Sequence, residues 1–155
     1  MEFSIEFLGL GWAKLRLTQG VHSITHGFTY LTDAPRDLLN NVISLLQNGP
    51  EANCLWESEP ALYSWAFINN AGNVTLSIKC YAEGYISPNL TPDFECILRV
   101  SLRELAATIV TGFRDILSDI GPDGYEAKWF AYPFPMEELL RAESVMRNLS
   151  PFTVD

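Results

Sequence analysis

The stretch YSWAFINNAGNVTLSIKCY, residues 63–81, decides the fold that the sequence predicts. Polar and apolar residues alternate on both sides of Asn70-Ala71-Gly72, and this period of two is typical of β-strands with one buried face. Asn and Gly tolerate the backbone conformations of a tight turn. We therefore expect an antiparallel hairpin formed by residues 63–69 and 73–81.

Further strands are predicted on both sides of this hairpin. Residues 2–7 alternate strictly between polar and apolar, and residues 12–18 follow after two glycines that allow a turn. A third N-terminal strand is expected within residues 21–31, and residues 94–100 predict another strand after the loop at 83–93.

Helix signals occupy the remaining segments. Residues 35–48 carry an apolar stripe at helical spacing, with Pro35 in the first turn and Asn48-Gly49-Pro50 at the end. Ser101 and Glu104 form a capping box that begins a long helix, which we expect to end near residue 120. Residues 125–132 are interpreted as a strand, and residues 136–147 as a short helix.

These elements predict an α+β fold. Because the strands are mostly sequential and connected by hairpins, a single, mostly antiparallel sheet is expected. Two main helices would pack on one face of this sheet, followed by a short C-terminal helix. A chain of 155 residues, 48% of them hydrophobic, predicts a single domain over residues 1–155.

The charge balance restricts the partners. With 19 acidic and 10 basic residues the formal charge is −9, which repels phosphate backbones and anionic lipids and attracts cationic surfaces. We therefore expect no nucleic-acid or membrane partner, and a basic protein as the binding partner. The N-terminus lacks a signal-peptide pattern and no apolar run is long enough to span a bilayer, so a cytoplasmic location is predicted.

Several catalytic and metal-binding patterns are missing from the sequence. Cys54, Cys80 and Cys96 lack zinc-type spacing, and the four residues from His22 to His26 span about 13 Å on a strand. There is no phosphate-binding glycine loop and no nucleophile elbow. We expect no metal site, no cofactor and no catalytic residues.

The stretch LWESEPALYSWAF, residues 55–67, is the densest in acidic and aromatic side chains. If it is extended, Glu57 and Glu59 point to the same side about 7 Å apart, a separation seen in inverting glycosidases. One alternative is therefore a small hydrolase using either carboxylate as a general acid or base, assisted by His26 or Tyr63.

Recognition is favoured over catalysis for this stretch, because a small domain leaves little room for a cleft; a solvated strand end, with Pro60 closing a sheet edge, is the other interpretation. Aromatic side chains anchor protein interfaces, and adjacent carboxylates select basic partners. The loop at 81–89 adds further acidic and aromatic residues. The expected partner-binding surface lies near one end of the sheet and consists of Trp56, Glu57, Glu59, Tyr63, Glu83 and Tyr85. A homo-oligomeric scaffold subunit is a further alternative, and either a monomer or a homodimer is compatible with the sequence.

One family resemblance is carried by residues 38–81. A helix of the pattern LLxxVIxLL, then WESEP at residues 56–60 and YxWxF entering a hairpin, resembles small bacterial proteins grouped with polymorphic-toxin immunity proteins. The resemblance implies an acidic, cytoplasmic, non-enzymatic α+β domain that binds its cognate toxin. It further implies inhibition by occlusion, with carboxylates in place of the phosphates that a nuclease toxin expects.

Overall fold

The computed structural model describes residues 1–149 and shows an α+β fold. The expected domain extends to residue 155, and positions 150–155 lie outside the described residues. The strands are β1 (Glu2–Gly9), β2 (Trp12–Gln19), β3 (His22–Thr29), β4 (Glu51–Ser58), β5 (Ala61–Asn70), β6 (Asn73–Tyr81) and β7 (Phe94–Ser101). The helices are α1 (Ala34–Leu46), α2 (Leu102–Trp129) and α3 (Met136–Asn148).

The strands form two separate antiparallel sheets, so the expectation of a single sheet is wrong. One sheet has the order β1-β2-β3 and the other β4-β5-β6-β7. The sheets meet through side chains at β3 and β4, where the rings of Phe28 and Trp56 lie 4.8 Å apart. These rings fill the space between the two backbones, which keeps β3 and β4 beyond the roughly 4.8 Å spacing of a hydrogen-bonded ladder.

The predicted strand alternation is confirmed by burial. In β1 the side chains of Phe3, Ile5 and Phe7 are buried, and the residues between them are exposed. The hairpin of β5 and β6 is confirmed, with Asn70 opposite Asn73 beside the turn. The strand β4 is longer than the extended segment expected near Trp56, and it pairs with β5 along its whole length.

The helices do not share one face of one sheet. Instead α2 packs mainly on β1 of the first sheet, α1 packs on β4 of the second, and α3 packs against α1 and α2. Ser101 caps α2 as predicted, with its hydroxyl accepting from the Glu104 N–H at 3.1 Å. No helix among residues 1–149 combines the length and the apolar character needed to cross a bilayer.

The expected end of the long helix near residue 120 is confirmed as a break in helical geometry at Gly121, whereas the expected strand at 125–132 is wrong. Gly121 does leave helical geometry, with φ of 66°, but helical turns resume and continue to Trp129. The reason is burial, because Tyr125 and Trp129 lie 4.6 and 5.4 Å from the Phe7 ring. The Gly-Pro signal therefore ends the first helical run, and packing on β1 favours a second helical run where a strand was expected.

Candidate functional site

Trp56 belongs to the core and not to the expected surface. Its side chain is 0% exposed, and its ring lies 5.3 Å from that of Trp65. Alternation in β4 directs Trp56 inward together with Cys54, while Glu57 points to the opposite face. We therefore remove Trp56 from the expected partner-binding surface.

Tyr63 also lies on the inner face, opposite Trp56 in the β4–β5 register. It is half-buried and stacks on His26, with ring centroids 3.9 Å apart and planes 9° apart. An aromatic cluster joins the two sheets, and we call it the sheet junction. It consists of His26, Phe28, Trp56, Tyr63 and Trp65.

The sheet junction holds its titratable groups in their neutral forms at pH 7. His26 is 4% exposed, and burial lowers its pKa to about 4, partly offset by a hydrogen bond of 3.0 Å from Nδ1 to the Gly27 carbonyl. Burial, followed by the neighbouring Cys80 thiol, raises the pKa of Tyr63 to about 12. The stacked pair contributes packing between the sheets and lies on the face opposite Glu57.

Glu57 and Glu59 do not lie on one extended segment, which was the basis of the expected separation of about 7 Å. Glu57 lies in β4 opposite Leu62, and the strand ends at Ser58. Glu59 occupies the turn before β5 with φ of 28°, so the backbone there is not extended. The geometric premise of the hydrolase alternative is therefore wrong.

Four of the six expected surface residues do come together at one end of the second sheet. A Cβ on Gly84 would lie 2.2 Å from the Pro60 carbonyl oxygen, so the loop after β6 packs directly on the β4–β5 turn. The neighbouring Glu83 carboxylate raises the pKa of Tyr85 through a side-chain hydrogen bond. We call this surface the acidic end and define it as Glu57, Glu59, Glu83 and Tyr85.

A second surface, made of exposed apolar side chains, was not predicted from the sequence. It gathers residues from the β1–β2 turn, the β3–α1 connection and the residue after α2. We call it the turn patch; its members are the exposed Leu8, Leu10, Trp12, Leu31 and Phe130 and the half-buried Tyr30. The two most exposed are Leu10 at 84% and Phe130 at 69%.

Two backbone hydrogen bonds at Gly11 tie the segments of the turn patch together. The Gly11 N–H donates to the Lys128 carbonyl, and the Gly11 carbonyl accepts from the Tyr30 N–H, both at 3.0 Å. A Cβ on Gly11 would lie 2.1 Å from the Tyr30 ring, so this close approach requires glycine. The Tyr30 and Phe130 rings then lie 6.0 Å apart at the solvent boundary.

Leu10 and Phe130 adopt backbone conformations that disfavour their side chains. Their φ angles are 56° and 79°, in the left-handed region that costs an ordinary L-residue about 1–2 kcal/mol. Glycine removes this cost, and an exposed leucine or phenylalanine gains almost no burial energy in return. The two side chains are therefore unfavourable for the isolated fold, which is typical of positions that serve contact with another molecule.

The turn patch and the acidic end are linked across the boundary between the two sheets. The Thr32 hydroxyl, next to Leu31 in the chain, donates to the Leu55 carbonyl of β4 at 3.2 Å. The exposed Leu55 side chain shares its face of β4 with Glu57, two residues further along. An apolar area and an acidic area thus adjoin along one side of the molecule.

Within residues 1–149, no group of three or more His, Cys, Asp or Glu side chains is arranged to hold a metal ion. Comparison with known proteins gives no family model, no curated protein and no solved structure that matches this chain.

Proposed function

We propose that this protein binds another protein through the turn patch, with the acidic end forming part of the polar rim. The observation that carries the proposal is the exposure of Leu10 and Phe130 at strained backbone positions. Contiguous exposed apolar side chains rimmed by polar groups are characteristic of interaction sites. Trp12 and Tyr30 add the aromatic residue types that dominate binding energy in protein interfaces.

The chemistry of the two surfaces defines the kind of partner. Leu10 and Phe130 suit an apolar depression, whereas Glu57, Glu59 and Glu83 suit lysine or arginine side chains at its margin. The formal charge of −9 favours encounter with a basic protein. Rim carboxylates of this kind act mainly on the association rate and on its salt dependence.

The resemblance to toxin immunity proteins supports a finer proposal, in which the partner is a basic toxin and binding occludes its active surface. The residues of the WESEP segment on which that resemblance rests lie in two different environments. Trp56 packs in the core, whereas Glu59 and Pro60 form the exposed turn of the acidic end. In this proposal the carboxylates occupy positions on the toxin that would otherwise bind the phosphates of its substrate.

Capture of the partner by three tagged proteins tests the proposal. The bait is compared as the unchanged chain, as L10G/F130G, and as the control L140S, which removes an exposed apolar side chain from α3 outside the turn patch. Each is incubated with lysate from the source cells and washed at low and at high salt.

The proposal predicts one stoichiometric basic protein that is retained by the unchanged chain and by L140S and is lost with L10G/F130G. Less partner should be retained at high salt, because salt screens the rim carboxylates and slows association. Equal retention by all three baits would remove the turn patch from the interface. An empty capture with the folded, unchanged chain would contradict the proposed function itself.

A further inference from the structure

Strand β7 is an edge of the four-stranded sheet. It pairs with β6 on one side, over the register from Phe94–Cys80 to Ser101–Asn73. The register is regular over all eight residues, and the strand contains neither proline nor glycine. An edge of this length presents backbone donors and acceptors that another strand can pair with.

The hydrogen-bonding pattern shows which backbone groups point away from β6. The Leu102 N–H donates to the Gly72 carbonyl at 2.8 Å, just beyond the Ser101–Asn73 pair. Because hydrogen-bonded positions alternate in an antiparallel ladder, even-numbered residues of β7 bond to β6 and odd-numbered residues face outward. The Arg99 carbonyl agrees with this assignment, since it accepts from the Gln19 side chain at 2.9 Å.

The outward-facing residues carry a self-complementary set of side chains. Glu95, Ile97 and Arg99 lie on the same face of β7 and are exposed, and Ile97 is 46% exposed. The order along the strand is acid, apolar, base at intervals of two residues. An antiparallel copy centred on Ile97 would place each Glu95 opposite Arg99 of the partner subunit and the two Ile97 side chains opposite each other.

We infer that a second copy of this chain pairs with the first, β7 against β7 in antiparallel orientation, with Ile97 on the twofold axis. The two four-stranded sheets then form one continuous sheet of eight strands. Three residue pairs exchange backbone N–H···O bonds across the axis: Ile97 with its copy, and Glu95 with Arg99 twice. This inference concerns a different surface from the proposed function and does not depend on it.

The local charges favour this register. Glu95 already lies 3.6 Å from the Lys79 ammonium group of β6, and Arg99 of the partner subunit would bind the other side of the same carboxylate. The Arg99 carbonyl has two lone pairs, so it can accept from Gln19 and from the second copy together. On the opposite face, Phe94, which is 45% exposed, would gain an apolar neighbour across the twofold axis.

A charge exchange tests the inference by sedimentation of the full chain over a range of concentrations. R99E places like charges opposite each other at both ends of the pairing, and E95R/R99E restores opposite charges with their positions exchanged. We expect R99E to raise the dimer dissociation constant by about tenfold or more, and the double variant to recover part of that loss, since the arginine introduced at position 95 lies beside Lys79. Far-UV circular dichroism establishes that each variant is folded.

A second pair of variants addresses the backbone directly. I97P removes an N–H that points outward and leaves the bonds to β6 in place, whereas I97T retains that N–H with a polar β-branched side chain. We expect I97P to sediment as a monomer and I97T to retain dimer formation. A monomeric unchanged chain at about 100 μM, a dimer unaffected by R99E and I97P, or a loss of dimer in R99E without recovery in E95R/R99E would each overturn the inference.

Discussion

The sheet junction and the turn patch contain the same kinds of side chain in opposite environments. At the sheet junction Trp56 and Phe28 are fully buried and pack edge to face. At the turn patch Trp12 and Phe130 are exposed, and Phe130 is held at a left-handed φ. Aromatic content alone therefore does not identify a binding surface in this chain. Exposure combined with unfavourable backbone geometry separates the two regions.

The largest expected effect is the contrast between two tryptophans. W56A should lower the free energy of unfolding by about 3–5 kcal/mol, because it leaves a cavity between the two sheets. W12A should change it by less than about 1 kcal/mol, because the Trp12 side chain is partly exposed. Urea denaturation of both variants measures the contrast, and equal losses would contradict the assignment of Trp56 to the core and Trp12 to the surface.

The next effect is a dependence of stability on pH that arises at the sheet junction. The pKa of His26 is lowered from 6.5 to about 4 on folding, so the unfolded chain binds a proton first as the pH falls. Stability from this group is fully present above pH 6.5 and is lost progressively between pH 6.5 and about 4. The difference between the pKa of His26 in the unfolded and folded states corresponds to about 3 kcal/mol of stability, at about 1.4 kcal/mol per pH unit.

The H26Q variant isolates this contribution from the acidic groups. Burial raises the pKa values of Asp33 and Asp37, and the Arg114 guanidinium lowers that of Glu143, so these carboxyls also contribute to the dependence of stability on pH. The difference in the free energy of unfolding between the unchanged chain and H26Q should therefore become smaller as the pH falls from 7 to 4. A difference that is independent of pH would show that His26 is not buried in its neutral form.

A smaller effect, of opposite sign, is expected at the turn patch. L10G/F130G should raise the free energy of unfolding by about 1 kcal/mol in total, because relief of the left-handed strain exceeds the entropy cost of glycine. The control L31G changes an exposed apolar residue without a positive φ and should be neutral or slightly destabilising. The denaturant midpoints of L10G/F130G and L31G measure these changes in stability. A loss of stability in L10G/F130G would contradict the presence of backbone strain at these two positions.

The smallest effect on stability is expected at the acidic end. E57Q/E59Q should leave the free energy of unfolding within about 0.5 kcal/mol, since both side chains are at least partly exposed. The same change should slow association with the captured partner and flatten the salt dependence of the rate. Stopped-flow or surface-based kinetics at two ionic strengths would measure it, with D119N/E126Q on α2 as a control for net charge.

Much of the secondary structure was predictable because burial acts through local alternation and through caps. The β5–β6 hairpin and the Ser101 cap of α2 are examples. The pattern EANCLWES of β4 also indicates the correct face for Trp56, since Ala52, Cys54 and Trp56 recur at intervals of two and only Leu55 interrupts the polar residues between and beside them.

The remaining features depend on contacts between distant segments. The two sheets contact each other where Phe28 and Trp56 meet, and the helical run after Gly121 packs on Phe7. Leu10 and Phe130 are 120 positions apart in the chain, and their common surface results from the hydrogen bond between Gly11 and Lys128. Periodicity within a single segment contains no information about such pairings.

The turn patch is expected to serve binding at a cost in stability, and one pair of measurements tests both effects together. The free energy of unfolding and the affinity for the captured partner are measured on the same preparations of the unchanged chain and L10G/F130G. We expect L10G/F130G to be more stable than the unchanged chain and to bind the partner at least about tenfold more weakly. Unchanged affinity, with or without a gain in stability, would contradict it.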